Sequence, residues 1–247
     1  MVSTQRARKL RFAGQVPADY SGPIYYRIIE KNSGPPYFTD KIEADAETRE
    51  RTRPFWDPSI RLQGAAVSRL LLDEHGELRS EWIAPLKYDI LQDRPLSFEY
   101  MPGGFTSQRV HDVIIALDPG RHIFLPVDAR WPDGRTERYY NHQWADDSFF
   151  AETSFPVLHP TKNEMEVGTY ISGENFFKHP DWIMGRDAAL NPFHFGYLNR
   201  EFIGDLDLFK TSVLDNAVVL SDTLMTELKK LGNPFWGADT YVRMGVA

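Results

Sequence analysis

The sequence predicts an α+β protein, with a few helices packed on antiparallel sheets. Three observations point there. Short β-branched and aromatic runs bounded by Gly and Pro recur through the first hundred residues. A helical period enters at Ser107, after which strands and helices interleave. One unit, a serine-started helix followed by a strand, occurs twice. No linker-like stretch separates these regions. The division expected is a mostly β lobe over residues 1–100 and an α+β lobe over 101–247, meeting near residues 85–105.

The elements follow in chain order. The first 20 or so residues are basic and weakly patterned and read as an arm, with an edge strand around Leu10–Phe12. "IYYRIIE" (Ile24–Glu30) reads as a strand, stopped by Gly34 and two prolines. "DKIEADAETRERTR" is charged with little apolar period; it is an exposed helix or a loop, ended by Pro54. "AAVSRLLLDEHGELRSEWIAPL" reads as a hairpin turning at Glu74–His75–Gly76. "LSFEYMPGGF" adds a short strand. "HIFLPVDARW" and "RYYNHQW" read as two strands joined by the turn "PDGRT". "MEVGTYIS", "LDLFKT", "AVVL" and "ADTYVRM" read as further strands.

Composition narrows the function classes. The 247 residues are 42% hydrophobic and 26% charged, as in ordinary globular proteins. No apolar run approaches the roughly 18 residues needed to span a bilayer, and the start lacks an apolar leader core, so a cytoplasmic protein with no membrane partner is expected. There is no cysteine, which excludes disulfides and thiolate chemistry. The net charge of −7 is uneven. Residues 1–144 carry 20 acidic and 20 basic side chains, and residues 145–247 carry 15 and 8. An acidic second part argues against nucleic acid and would attract a basic protein.

The repeated unit decides how two adjacent polar residues, Ser221 and Asp222, are read. After Ser107, apolar residues fall three, seven and ten positions on, at Val110, Ile114 and Leu117. After Ser221 the same offsets hold Leu224, Leu228 and Leu231. These offsets trace one helical face. Each helix then meets a breaker, "DPG" or "GNP". Serine before such a run is a preferred N-cap, and Asp222 suits the positive end of a helix dipole. Ser107 and Ser221 are therefore read as helix caps, with Gly232 as a C-terminal stop.

These motifs resemble the immunity-eleven family of bacterial polymorphic-toxin immunity proteins. The resemblance rests on the Ser107 helix, "FLPV" (Phe124–Val127), "YYNHQ" (Tyr139–Gln143), "LFKT", and "VVLSD" with its helix ending in Leu-Gly. It spans about Phe105 to Met244 and leaves the first hundred residues unassigned. The ending "FWGADTYVRM" departs from the Gly-aromatic-Phe strand expected there. The resemblance implies a protein that binds and neutralises a cognate toxin delivered by contact or a secretion system. It carries over no catalytic residue, metal or cofactor.

Chemistry read from the residues themselves is sparse. The seven histidines show no H-x-x-x-H spacing. His122 and His142 lie on strands that would pair through the "PDG" turn, and with Asp128 they could form a metal or hydrolytic site. That is the rival reading, a hydrolase; another is a glycan- or small-ligand-binding module using exposed Trp rings. For the favoured binder, the partner surface expected from charge and aromatic placement comprises Trp144, Asp146, Asp147, Glu152, Trp182, Glu201, Asp205 and Asp207. The sequence leaves oligomeric state open.

Overall fold

The computed structural model describes residues 16, 19–30, 41–57, 59–60, 62, 64–96, 99–100, 104–150, 157, 159, 162, 166–169, 175–178, 196–211, 217–232 and 238–247. Two compact units partition the chain. One comprises Met1–Glu30, Phe150–Met225 and Asp239–Ala247; the other comprises Lys31–Phe149 and Thr226–Ala238. This corrects the expected split at residue 100. Strand pairing is the reason: the N-terminal strand is captured by a strand two hundred residues later, and the segment after residue 41 joins the central hairpin.

The first unit is built on a sheet ordered β10-β13-β1-β12-β11-β7. Its strands are β1 (Tyr25–Glu30), β7 (Phe149–Phe150), β10 (Tyr197–Leu198), β11 (Leu208–Thr211), β12 (Ala217–Ser221) and β13 (Ala238–Val246). Strand β12 is buried at every position, so it reads as the continuous apolar run "AVVL" rather than as an alternation. Antiparallel pairing places Tyr25 opposite Ser221 and Leu208 opposite Leu220. Tyr25, Leu198, Ile203, Phe209, Val219 and Met244 form the core. The Tyr25 hydroxyl, buried with its ring, donates to the Leu206 carbonyl at 2.8 Å. A separate hairpin pairs β8 (Glu166–Thr169) with β9 (Asn175–Lys178).

The second unit is built on a sheet ordered β2-β3-β5-β6-β4. These are β2 (Ile42–Ala44), β3 (Leu86–Ile90), β4 (Phe105–Ser107), β5 (His122–Arg130) and β6 (Thr136–Trp144). The long β5–β6 hairpin turns at "PDGR", as its composition predicts. Residues at odd positions of β5, from Ile123 to Ala129, point into an apolar core with Val67, Leu71, Trp82 and Leu86. Each of the larger buried side chains stabilises by about 1.5–3 kcal/mol relative to exposure. The sheets are α+β as expected but not wholly antiparallel. Strand β3 runs parallel to β5, and β10 parallel to β13. A parallel pair needs a long crossover, and between β3 and β5 it carries β4 and a helix.

Three helices in the second unit precede that crossover. Helix α1 (Ala46–Trp56) is N-capped by Asp45, whose carboxylate accepts the Thr48 N–H at 2.7 Å. It passes through Pro54 instead of ending there: Pro54 falls in the last turn, and the Asp57 N–H still reaches Arg53 O at 2.9 Å. With so little apolar period, α1 docks through threonines: Thr48 Oγ1 accepts the Lys87 N–H of β3 at 2.8 Å. The expected hairpin at "AAVSRLLL…EWI" is instead α2 (Ala65–Leu71) and α3 (Ser80–Ile83) around one bridge, Leu72 to Leu78. Val67 and Leu71 lie four apart and both are buried, a helical rather than a strand pattern. The arm strand at Leu10–Phe12 lies outside the described residues.

Helices α4 (Gln108–Leu117), α5 (Arg200–Ile203) and α6 (Asp222–Lys229) complete the described helices. Both α4 and α6 start on the serines named above. Ser107 Oγ accepts the Val110 N–H at 3.3 Å, and Ser221 Oγ accepts the Leu224 N–H at 3.1 Å. Gly120 and Gly232, in the breakers, sit at φ +75° and +99°, where a side chain would be strained. No described helix is long and apolar enough to cross a membrane.

Candidate functional site

The hairpin β5–β6 sets Phe124 opposite His142 and His122 opposite Trp144. Side chains alternate across a sheet, so these four share the face away from the Val67–Leu125 core. Helix α4 covers this end of that face. The His111 ring of α4 stacks on Tyr140 with centroids 3.8 Å apart and stands edge-on to Phe124 at 4.8 Å. His142 stacks on Phe124 at 4.8 Å, and Trp144 tilts against His142 at 4.5 Å.

Within this aromatic packing runs a chain of four polar side chains. Tyr100 Oη lies 3.1 Å from His142 Nδ1. His142 Nε2 lies 3.1 Å from His122 Nδ1. His122 Nε2 lies 3.5 Å from Asp118 Oδ2. Asp118, the C-cap of α4, also faces the Arg121 guanidinium at 3.7 Å. Tyr100 and His142 are 0% exposed, and Asp118 2%. Burial raises the Tyr100 phenol well above its ordinary pKa, so it is a hydroxyl donor here and not a phenolate.

The sequence therefore placed His122 and His142 together correctly but chose the wrong carboxylate. Asp128 lies six residues from His122 along an extended strand, roughly 20 Å away. It pairs instead with Arg138 at 2.9 Å. It also lines an open cleft of about 430 Å³ with Asp45, Lys87, Tyr88, Asp89, Arg130 and Thr136. Arg130 grips Asp89 there with two bonds of 2.7 and 3.0 Å. The carboxylate that meets His122 is Asp118, brought round by the tight "DPG" turn. Each imidazole uses one nitrogen toward its neighbour ring and the other toward Tyr100 or Asp118. That is a line of contacts, and a metal requires donors that converge. His142 is fully buried and His122 nearly so, so neither ring is open to a substrate in this structure.

The residues expected on a partner surface separate into different settings. Trp144 is corrected: its side chain packs against both histidine rings at 6% exposure, and its indole N–H has no acceptor among the described residues. Asp207 is also corrected. It accepts the Ser221 hydroxyl, and its backbone carbonyl accepts the Ser221 N–H at 2.8 Å, so it builds the start of α6. Asp146 is exposed at the head of a short 3-10 turn, Asp146–Ser148, and its N–H donates to Ser68 Oγ at 3.0 Å. The turn includes Asp147, whose side chain lies outside the described residues, as do Glu152 and Trp182. Glu201 and Asp205 are exposed at α5 and just after it. Asp146 belongs to one unit, and Glu201 and Asp205 to the other. The charge asymmetry of the sequence also dissolves: the unit containing Glu201 has 14 acidic and 11 basic side chains, the other 21 and 17.

Sequence reasoning missed Tyr100, Asp118 and Trp56. Tyr100 looked like one more strand aromatic, and Asp118 like part of a breaker. Its one available signal was the four-residue spacing to His122. Trp56 is 56% exposed beside the C-terminal end of α1, with Ile83 at 60% on α3. Among the described residues no cluster of His, Asp and Glu could hold a metal ion.

No family model matches this chain, and no curated protein is detectably similar to it.

Proposed function

We propose that this protein is a cytoplasmic, non-catalytic immunity protein that binds a cognate bacterial toxin one-to-one and blocks it. The observation that carries the reading is the state of His122, His142 and Asp118. Among the described residues they are the clearest constellation of catalytic residue types, and they are buried with every ring nitrogen engaged. Residues arranged so support a scaffold role more than turnover, which needs a reacting atom within hydrogen-bond reach of an open site. The motif resemblance over Phe105–Met244 supplies the class of partner. Exposed Trp56 and Ile83 are the kind of apolar anchors that protein interfaces use, and the net charge of −7 favours a basic partner.

The test is co-purification of the tagged full chain from the producing cell. Recovery of one toxin domain in a 1:1 complex, with rescue of cells expressing that domain, is the expected result. Exchange of Trp56 for Ala then weakens the complex at least tenfold, and raising salt to about 0.5 M slows association. Hydrolytic activity of the isolated chain that disappears in His122→Gln would overturn the reading.

A further inference from the structure

We propose that the open cleft over β3 and β5 binds a small zwitterion, a molecule of amino-acid or dipeptide size that carries both a carboxylate and an ammonium. Lys87 anchors the carboxylate, and Asp45 and Asp128 hold the ammonium. The inference stands apart from the toxin reading, because it rests on the charges that line this one cleft.

Strand register builds the site. Lys87 of β3 lies opposite Asp128 of β5, and Asp128 lies opposite Arg138 of β6. Asp45, one residue past β2, donates its N–H to the Lys87 carbonyl at 3.2 Å. The row across the sheet is therefore acid, base, acid, base. The next row brings Asp89, Arg130 and Thr136 together. Side chains alternate along a strand, so Lys87, Asp89, Asp128 and Arg130 share the face away from the Val67–Leu125 core. Helix α4 packs on the far end of that face, at Phe124 and Tyr140, and this end is the open cleft.

The contacts of these groups leave one cation without a partner. Arg130 is committed to Asp89 by two bonds, of 2.7 and 3.0 Å. Arg138 holds one oxygen of Asp128 at 2.9 Å. The Thr48 N–H holds one oxygen of Asp45 at 2.7 Å. Lys87 is exposed, and its ammonium has no hydrogen bond or ion pair among the described residues. Each flanking acid is thus drawn toward another donor, while a carboxylate has about four lone-pair sites and keeps capacity for a further one.

This pattern selects a ligand of both signs. A lone anion drawn to Lys87 meets Asp45 on one side and Asp128 on the other. A lone cation drawn to those acids meets Lys87 between them. A carboxylate and an ammonium in one molecule satisfy all three. Such a molecule also brings no net charge to a lining in which three carboxylates balance three cations, counting Arg138 behind Asp128. Neighbouring strands lie about 4.8 Å apart, which matches the short separation of the two charges in an amino acid or dipeptide. The cleft holds about 430 Å³, within the roughly 300–1,000 Å³ of small-molecule sites.

Solvent and salt screen contacts in an open cleft, so the informative quantity is the ratio between probes at fixed ionic strength. Two charge-assisted contacts joined in one molecule should bind about tenfold tighter than either alone, the equivalent of one further contact.

The test titrates the ¹⁵N-labelled full chain with glycylglycine, acetate and methylammonium at about pH 7, where glycylglycine is zwitterionic. Ionic strength is held constant, and the backbone amides of Lys87, Asp89, Asp128 and Arg130 are followed. Glycylglycine is expected to shift them saturably, with a midpoint about tenfold below those of the two single-charge probes. Lys87→Met removes that advantage and leaves the urea midpoint unchanged, because the Lys87 ammonium bonds nothing in the fold. Asp45→Asn keeps a helix cap and should move two probes in opposite directions, glycylglycine weaker and acetate stronger. No saturable shift with glycylglycine, acetate binding as tightly, or a Lys87→Met chain that still prefers glycylglycine overturns the proposal. So does an Asp45→Asn chain in which both probes move the same way.

Discussion

Ser107 and Ser221 occupy the same station in two halves of the chain. Each accepts the N–H three residues on, and each donates its hydroxyl to a carboxylate, Glu99 or Asp207. Each also bonds its backbone N–H to the carbonyl of that same acidic residue, at 2.7 and 2.8 Å. An acidic residue, a serine cap, a helix, a positive-φ glycine and a long strand recur in order. The copies part at the next rung. Beside Glu99, Tyr100 bridges to Thr106; beside Asp207, Leu208 pairs with Leu220. All four are 0% exposed, but one rung begins a polar chain and the other is wholly apolar. The same local frame thus tolerates either interior. A polar interior carries the stricter demand, since each of its groups needs a partner.

That comparison can be broken at the divergent rung first. Leu208→Ala leaves a cavity in a packed core and is expected to cost about 2–5 kcal/mol by urea denaturation. Tyr100→Leu imposes the apolar copy's residue on the polar copy. It leaves His142 Nδ1 without its donor, and the expected loss is about 1–3 kcal/mol. A neutral or stabilising Tyr100→Leu would mean that the two rungs are interchangeable.

The shared rung is the next place to press. Ser107→Ala and Ser221→Ala each remove a cap and are expected to cost about 1 kcal/mol in the same measurement. Ser221 is the more costly, because it is buried whereas Ser107 is only half-buried. Equal losses would show that burial of the cap adds nothing to its value.

The smallest effect is expected at the acidic cap of α1. The Thr48 N–H, with help from Lys87 and Arg49, holds the Asp45 carboxyl below its ordinary value. A depressed carboxylate stabilises above its unfolded pKa of about 3.9, and that contribution is lost as pH falls through the folded value. Amide exchange at the start of α1 should therefore quicken only at strongly acid pH. Asp45→Asn keeps a cap and abolishes that acid response.

How much of this the sequence disclosed depends on the range of the interactions. Local signals were legible: the caps, the "PDG" turn, the strands "HIFLPV" and "AVVL", and the pairing that brings His122 to His142. Signals that needed a partner were not. Helix α1 has no apolar stripe, and it docks through Thr48 onto a strand forty residues on. Trp144 sits next to acidic residues in sequence, yet strand alternation turns it inward onto His142. Charge counted along the chain suggested an acidic lobe, whereas the units interleave and share the excess. Asp118 was hidden because residues around a turn are easily read as punctuation and not as chemistry.

The central claim is neutralisation by binding, and reconstitution tests it most directly. Purified full chain is titrated into the toxin domain recovered with it, and toxin activity is followed. Activity should fall linearly to zero at one equivalent, with the toxin recovered chemically intact after the complex is denatured and separated. Inactivation at far below one equivalent, with the toxin cleaved or modified, would show turnover and contradict the account.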